Sequence, residues 1–150
     1  MTYQNRAFFP YDVQHFGCYL FSICFHLDRR FGLGIFTDEG MLKIYNDEEA
    51  DRDLGPESFV DSPQHLCDHV CRNQVAFEDI HYPADHQTTG DELEVQDWIN
   101  PATGSHHFMA AQNGTVIYDP IEGGSIMARV GHCESKRIFR VLTGAQGEQP

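Results

Sequence analysis

The sequence is poor in basic residues. Lysine and arginine together number 10 in 150 residues, against 23 aspartates and glutamates, so the formal net charge is −13. A protein this acidic repels phosphate backbones and anionic lipid headgroups, which argues against direct binding to nucleic acid or to a membrane surface. The excess of negative charge instead favours cationic partners.

Long apolar runs are also missing. No stretch reaches the roughly 18 consecutive apolar residues that a membrane-spanning helix needs. The segment from Met1 to Pro10 lacks the basic-then-apolar layout of a signal peptide. The five cysteines are an odd number at irregular spacings, which argues against the disulfide framework of a secreted domain. We therefore expect a cytoplasmic protein.

Linkers, repeats and glycine-rich phosphate loops are absent from the sequence as well. Gly32-Leu33-Gly34 and Gly123-Gly124 do not have the spacing that cradles a phosphate, and we expect no cofactor. A chain of 150 residues that is 41% hydrophobic can build one core and is short for two. We expect a single domain over residues 1–143 and a flexible polar tail over residues 144–150.

The first half of the chain has the apolar period of helices. Between Cys18 and Phe31 apolar residues recur every three or four positions, and Gly32 follows as a stop signal. The members of this stripe are Leu20, Ile23, Cys24, Leu27 and Phe31. Phe21 and Phe25 form a second apolar face, so the pattern predicts a helix that is buried on most sides.

Two further helices are predicted before residue 75. One runs from Asp38 to about Glu49, with Thr37 as its N-cap and an inward face formed by Met41, Ile44 and Tyr45. The acidic stretch at its end, comprising Asp47, Glu48, Glu49, Asp51 and Asp53, is interpreted as a solvated face or loop. The other helix has Ser62 as its cap, Pro63 at its first position and an end near Asn73.

The second half of the chain has the features of short strands. Its segments are rich in β-branched and aromatic residues and are separated by Gly, Pro, Asn or Asp. The predicted strands are Val75–Tyr82, Leu93–Ile99, His107–Gln112, Thr115–Asp119, Ile126–Val130 and Lys136–Leu142. Helices followed by an antiparallel sheet define an α+β fold, with N-terminal helices packed on a C-terminal sheet.

Cys18 is the first candidate for chemistry. It follows Gly17 at the predicted start of a helix, where the positive end of the helix dipole favours a thiolate and hence nucleophilicity. A free cysteine is more often a small core residue than a nucleophile. A catalytic thiol also needs a base, and a histidine on one strand beside a carboxylate on the next would supply an oriented one.

The segment from Ser105 to Pro120 could carry that base. It is typical of a β-hairpin, with two histidines at the start of the first strand and Asp119 at the end of the second. A two-residue type I′ turn at Asn113-Gly114 would place Asp119 on the face of His106. A three-residue loop from Gln112 to Gly114 would place Asp119 directly opposite His107. Successive strand residues face opposite ways, so only one histidine can serve, and the pattern leaves both registers open.

These residues resemble the papain-like cysteine peptidase superfamily. The resemblance is carried by Gly17-Cys18-Tyr19-Leu20 opening an apolar helix, by His107-Phe108-Met109-Ala110-Ala111, and by Val116-Ile117-Tyr118-Asp119-Pro120. The nearest branch is that of the bacteriocin-leader-processing (C39-type) peptidases and related small domains. The resemblance implies a papain-like α+β fold in which Cys18 is the nucleophile, His107 the base and Asp119 the residue that orients it.

The family also has a glutamine upstream of its cysteine that stabilises the oxyanion. Here that role would fall to Gln14, which precedes Cys18 by four positions rather than the family's six or so. The layout is also similar to that of small proteins of phages and spirochaete plasmids, which implies a viral or mobile-element source and the cytoplasm of a host cell.

Two functions from different classes follow from the resemblance. The first is a cysteine hydrolase that cleaves a peptide, amide or isopeptide bond through Cys18, His107 and Asp119, with Gln14 and the Cys18 N–H at the oxyanion, acting on a peptide or protein substrate. The alternative is an inactive papain-like scaffold whose acidic surface occupies a basic site on a host protein.

A metal site is the competing interpretation of the segment from His65 to Cys71. His65 and His69 form one i,i+4 pair, and Cys67 and Cys71 form another, offset by about 200° on a helix. The two pairs cannot share one ion, so we expect the thiols in the core, the imidazoles on the polar side and no metal. Ser22 and His26 have the same i,i+4 spacing and are interpreted as packing or hydrogen-bonding residues.

Overall fold

The computed structural model describes residues 1–51, 54 and 60–142 and has an α+β fold. The tail predicted over residues 144–150, and with it the proposed domain boundary at residue 143, lies outside the described residues. In chain order the elements are α1 (Tyr11–Phe16), α2 (Cys18–Phe31), α3 (Asp38–Ala50), α4 (Pro63–Cys71), β1 (Val75–Pro83), β2 (Glu92–Ile99), β3 (His106–Gln112), β4 (Thr115–Tyr118), α5 (Met127–Val130) and β5 (His132–Val141). Within the described chain, no helix has the length and apolarity to cross a bilayer.

The five strands form one antiparallel sheet in the order β1-β5-β2-β3-β4. The C-terminal strand β5 therefore lies in the interior of the sheet, between β1 and β2. β3 and β4 form a hairpin at one edge, with β4 as the edge strand. This order places the beginning of β3 and the end of β4 at the same end of the sheet, which is where the predicted base and carboxylate lie.

Helix α2 is the central helix of the core, and its predicted bounds are confirmed. Every residue from Cys18 to Leu27 is buried, and Gly32 ends the helix in the left-handed conformation at φ 62°. On the sheet side, Tyr19 stacks on Phe108 of β3 with ring centroids 4.5 Å apart. The predicted packing roles are also confirmed, since Ser22 Oγ donates to the Phe108 carbonyl and His26 Nε2 lies 2.7 Å from the Glu94 carbonyl oxygen.

Helix α3 begins and packs as predicted. Thr37 Oγ1 accepts a hydrogen bond from the Gly40 N–H, and Met41, Ile44 and Tyr45 are buried. The prediction that the acidic stretch at its end is solvated is wrong for Glu48, which is fully buried. The helical period explains the correction: Glu48 falls three and four positions after Tyr45 and Ile44, and so continues their inward face.

Helix α4 carries Pro63 at its start, as predicted, but Ser62 makes no side-chain capping bond. It ends at Cys71, two residues before the predicted end, because Arg72 and Asn73 take positive φ values of 58° and 63°. A left-handed residue after the last turn ends a helix in the manner of a C-cap.

The strand predicted over Ile126–Val130 is wrong. This segment forms the single turn of helix α5, in which only Met127 is buried while Ile126 and Val130 are exposed. The close approach of Met127 and of the Ile99 carbonyl to Gly131 leaves no room for a side chain there. Strand β5 then starts at His132, four residues before the predicted Lys136, because His132 and Cys133 pair with the end of β2.

Candidate active site

Cys18 is the first residue of α2, as the sequence predicts. Helix α1 ends two residues earlier, and the Gly17 N–H between the two helices donates to the Val13 carbonyl at 3.0 Å. A β-carbon on Gly17 would lie 2.7 Å from that carbonyl oxygen, so the junction requires glycine. The tight junction places the Cys18 thiol at the head of the central helix, where 9% of the residue remains exposed.

His107 and Asp119 are in direct contact. His107 Nε2 lies 2.8 Å from Asp119 Oδ1, and 10% of the His107 side chain is exposed. The Asp119 carboxylate accepts three further hydrogen bonds, which come from the Ile121 N–H, the Ser125 N–H and the Ser125 hydroxyl. A carboxylate fixed by several donors holds the imidazole in one tautomer and one orientation.

The hairpin reaches this contact by a register that neither sequence alternative contained. The turn is the two-residue type, since Gln112 pairs with Thr115 and both Asn113 and Gly114 have positive φ. A bulge then shifts the register, so that Ala111 pairs with Val116 but Ala110 pairs with Tyr118. This extra residue moves Asp119 to the side of the strand that His107 occupies.

The second histidine belongs to a different pair. His106 Nδ1 lies 2.8 Å from Asp97 Oδ1, and the other oxygen of Asp97 accepts from Arg137 at 3.1 Å. Asp97 is buried, whereas 43% of the His106 side chain is exposed. Sequence reasoning missed Asp97 because its proximity to the histidines arises only from the pairing of β2 with β3, in which Asp97 faces Phe108.

The contact between His107 and Asp119 changes the protonation of both groups. Burial alone would lower the pKa of His107, but the hydrogen bond to Asp119, together with the hydrogen bond and charge of Cys18, outweighs it and raises this pKa from 6.5 to about 9. Burial alone would raise the pKa of Asp119, yet the hydrogen bonds from His107, Ile121 and Ser125 hold it well below its usual range. At neutral pH the pair is an imidazolium beside a carboxylate.

The Cys18 thiol is the third member of this cluster. It is one of the groups that raise the pKa of His107, both through a hydrogen bond and through its charge. Because Nε2 of the imidazole is occupied by Asp119, Nδ1 is the ring nitrogen left to face the thiol. The structure therefore brings Cys18, His107 and Asp119 together from the start of α2, the start of β3 and the end of β4.

The other four thiols lie in different surroundings. Burial raises the pKa of the Cys24 and Cys67 thiols well above the ordinary value, and raises that of Cys71 to about 11. Cys133 is half-buried, and burial raises its pKa to about 11. All four are therefore neutral thiols near pH 7, which are poor nucleophiles.

Gln14 lies on α1, and its side-chain amide bonds to the segment that precedes this helix. The Gln14 Nε2 donates to the Phe9 carbonyl at 2.7 Å, while its own backbone carbonyl accepts from Gln4. An amide nitrogen carries two N–H groups, so one remains for another acceptor. The role of Gln14 at an oxyanion stays a prediction.

Ser125 is a site residue that the sequence analysis missed. It follows Gly123 and Gly124, both in the positive-φ region at 90° and 87°, which turn the chain back towards Asp119. Its hydroxyl and N–H both donate to Asp119 Oδ2 at 2.8 Å. A glycine pair four and five residues after a candidate carboxylate was the available signal, but such pairs mark turns in general.

Comparison with known proteins identifies one family. Its model, described as "Protein of unknown function, DUF261", matches residues 1–141. The chain belongs to the DUF261 family. No curated protein and no solved structure matches it. The matched range includes Cys18, His107 and Asp119, so the whole cluster lies within the part of the chain that defines this DUF261 domain.

The thiols and the imidazoles of helix α4 lie on different sides of this helix in the DUF261 domain, as the sequence predicts. Cys67 and Cys71 are buried in the core, and Cys71 Sγ donates to the Cys67 carbonyl. His65 and His69 are exposed on the opposite side. His69 contacts the last turns of α3, with its Nε2 3.6 Å from Asp47 Oδ2. The two pairs do not converge on one point.

Proposed function

We propose that this protein is a papain-like cysteine hydrolase that cleaves a peptide, amide or isopeptide bond. The observation that carries the proposal is the convergence of the Cys18 thiol, the His107 imidazole and the Asp119 carboxylate from three separate elements. A central helix that begins at the thiol and packs on an antiparallel sheet carrying the other two groups is also the arrangement that a papain-like fold requires. Chain order and geometry agree on the same three residues.

The charge state of the cluster suits nucleophilic attack. His107 retains its proton at neutral pH because its pKa is raised to about 9. An imidazolium beside a thiol stabilises the thiolate, which is the reactive form of cysteine. Asp119 in turn stabilises the imidazolium and fixes its ring through Nε2, so Nδ1 faces the reacting atoms.

Acylation follows from this arrangement. The Cys18 thiolate attacks the substrate carbonyl carbon, a C–S bond forms, and the carbonyl electron pair moves to oxygen. The Cys18 N–H and the free N–H of Gln14 would donate to that oxyanion. The tetrahedral intermediate then collapses, the C–N bond breaks, and the His107 imidazolium gives its proton to the leaving amine. The product of this stage is a thioester on Cys18.

Deacylation reverses the roles. Neutral His107 takes a proton from a water molecule, and the resulting hydroxide attacks the thioester carbonyl. The second tetrahedral intermediate expels the Cys18 thiolate, releases a carboxylic acid and leaves the thiolate–imidazolium pair ready for another cycle. The charge of −13 supports a peptide or protein substrate rather than nucleic acid or a membrane, and the host cytoplasm is the proposed place of action.

The first test measures which thiol reacts with a small electrophile. The intact protein is treated with iodoacetamide between pH 5 and pH 9, and the labelled cysteine is identified by peptide mass spectrometry. We expect Cys18 to be labelled at pH 7 at least tenfold faster than the other four cysteines, because the neighbouring His107 imidazolium favours the reactive form of a thiol. His107→Gln should slow the labelling of Cys18 by at least tenfold, and Cys133→Ala, which removes the half-buried thiol, should leave the Cys18 rate unchanged.

Two outcomes of the labelling would overturn the proposal. One is a Cys18 labelling rate at pH 7 that is no higher than that of Cys133. The other is an identical Cys18 rate in wild type and His107→Gln. A second measurement is hydrolysis of a peptide library, read by mass spectrometry, with Cys18→Ala as the control. Cleavage that persists in Cys18→Ala would assign the activity to other residues.

A further inference from the structure

Most of the exposed apolar side chains in the described part of the protein lie in two segments that adjoin Cys18 and Asp119 in the chain. Among the described residues, seven large apolar side chains are exposed. Five of them lie in two segments, one leading into Cys18 and one following Asp119; they are Phe8, Tyr11, Phe16, Ile126 and Val130. Single exposed apolar residues are normal, but a concentration of them marks a binding surface.

The first segment forms a continuous aromatic surface on α1. Tyr11 is 65% exposed, and its ring lies 4.2 Å from that of His15 and 6.4 Å from that of Phe16. Phe16 is 37% exposed and stands two residues before the nucleophile. These three residues are named the aromatic surface.

The aromatic surface is held in a fixed position relative to Cys18. Phe9, two residues before α1, is buried and makes an edge-to-face contact with Phe21 of α2, with the ring centroids 5.3 Å apart. Val13, in the middle of α1, is fully buried, and its carbonyl accepts the Gly17 N–H. An apolar surface that is already ordered loses little conformational entropy when it binds a partner, which favours binding next to the nucleophile.

The second segment lies on the Asp119 side of the cluster. Ser125 donates twice to Asp119, and the next residue, Ile126, is 58% exposed. Val130 is 41% exposed one turn later, while Met127 between them is buried and anchors α5. Ile126 and Val130 are four residues apart and therefore share one face of the helical turn. They are named the aliphatic surface.

We propose that the aromatic surface and the aliphatic surface bind the substrate of the candidate triad, and that this substrate is an extended peptide with aromatic or aliphatic side chains flanking the cleaved bond. This inference rests on the proposed function. The segment from Ala7 to Gly17 contains no lysine or arginine to pair with an acidic side chain, and Asp12 and the overall charge of −13 repel one. Arg129 lies between Ile126 and Val130 in the second segment and is exposed. The aromatic surface, which leads into Cys18, therefore accepts apolar side chains rather than acidic ones.

The test compares peptides that differ only in the side chain next to the reactive carbonyl. Peptidyl chloromethyl ketones carrying phenylalanine, serine or glutamate are reacted with the full-length protein, and the rate of Cys18 modification is divided by the iodoacetamide rate of the same protein. We expect the phenylalanine probe to exceed the serine probe by at least tenfold in this ratio, and the glutamate probe to be the slowest.

Variants assign the preference to the two surfaces. Tyr11→Ala combined with Phe16→Ala should reduce the normalised phenylalanine rate by about tenfold, and Ile126→Ser combined with Val130→Ser should reduce it by about threefold to tenfold. Leu142→Ser is the matched control, because Leu142 is 38% exposed but follows β5, away from both segments in the chain. Circular dichroism confirms that each variant is folded.

The outcomes separate this inference from the proposed function. Equal normalised rates for phenylalanine and serine probes, or surface variants that behave like Leu142→Ser, would overturn the substrate class while leaving a reactive Cys18 intact. If Cys18 does not react with iodoacetamide, or reacts equally fast in His107→Gln, the proposed function is wrong, and the inferred substrate class is wrong as well.

Discussion

The Nε2 atom of His107 lies 2.8 Å from Oδ1 of Asp119, and the same oxygen also accepts the Ile121 N–H. The other carboxylate oxygen is occupied twice by Ser125. Both oxygens of Asp119 thus accept hydrogen bonds, which hold the carboxylate against the imidazole and disfavour its protonation. This single contact determines the charge, tautomer and orientation of His107.

The stability of the fold should depend on pH because of the contact between His107 and Asp119. The folded pKa of His107 is about 9, above its unfolded value of 6.5, so its contribution is complete below pH 6.5 and declines as pH rises through 9. The shift corresponds to a contribution on the order of 3 kcal/mol. Urea unfolding of wild type and His107→Gln at pH 6, 8 and 9.5 measures it.

We expect the free energy of unfolding to fall between pH 6 and pH 9.5 in wild type, and to fall clearly less in His107→Gln. Parallel curves for the two proteins would mean that His107 does not hold its proton more tightly in the folded state. At the acid end, Asp119 contributes stability above its ordinary titration range and loses it as pH falls, because its folded pKa is depressed.

Ser125 should act as a positioning residue for Asp119. Ser125→Ala removes one donor to Oδ2 and keeps the N–H bond. Loss of a hydrogen bond to a charged group should raise the pKa of Asp119 and move the acid-unfolding midpoint up by about one pH unit or less. Activity should fall by about threefold to tenfold. Ser125→Thr keeps the hydroxyl and should restore both values; an unchanged acid midpoint in Ser125→Ala would refute the role.

Gly17 should be intolerant of a side chain. Its β-carbon would meet the Val13 carbonyl oxygen at 2.7 Å, so Gly17→Ala must push α1 away from the start of α2. We expect a loss of about 1–3 kcal/mol in unfolding free energy and at least a tenfold slower labelling of Cys18. Gly90→Ala is the matched control, since no atom lies within 4 Å of a β-carbon there. Equal behaviour of the two variants would contradict the packing argument.

Removing one partner of the buried ion pair between Glu94 and Lys136 should destabilise the fold. Lys136 Nζ lies 3.0 Å from Glu94 Oε2, and both side chains are almost fully buried. Lys136→Met leaves a buried carboxylate without its cation and should cost about 3–5 kcal/mol. The double variant Glu94→Gln with Lys136→Met should recover a large part of that loss. Strictly additive effects in chemical denaturation would show that the two charges do not interact.

Local patterns predicted helices α2, α3 and α4 and the position of Cys18 at the start of α2. The apolar stripe from Leu20 to Leu27 and the glycine at position 32 define α2 because burial and termination are encoded within a few neighbouring residues. Helix α1 was missed because it presents a single buried residue, Val13, and has no side-chain cap. The Ile126–Val130 segment was mistaken for a strand because a run of apolar residues this short does not distinguish one helical turn from an edge strand.

Cys18, His107 and Asp119 of the candidate site were predictable from the sequence, but Ser125 and the register of the hairpin were not. The type I′ turn is encoded by Asn113-Gly114, yet the turn alone would have placed Asp119 beside His106. The bulge opposite Ala110 and Ala111 reverses that assignment. Bulges depend on how a strand bends against the rest of the fold, as do the long-range pairs of Asp97 with His106 and Arg137, and neither is visible in a local pattern.

The position of β5 inside the sheet has a consequence for biosynthesis. A ribosome delivers Cys18 first, then the hairpin with His107 and Asp119, and after them the strand that joins β1 to β2. Until residues 132–141 emerge, β1 lacks the one neighbour that it has in the described sheet, and β2 is unpaired along one side. The nascent polypeptide thus carries Cys18, His107 and Asp119 before the sheet that aligns them is complete, so the three groups would come together only after β5 has been translated.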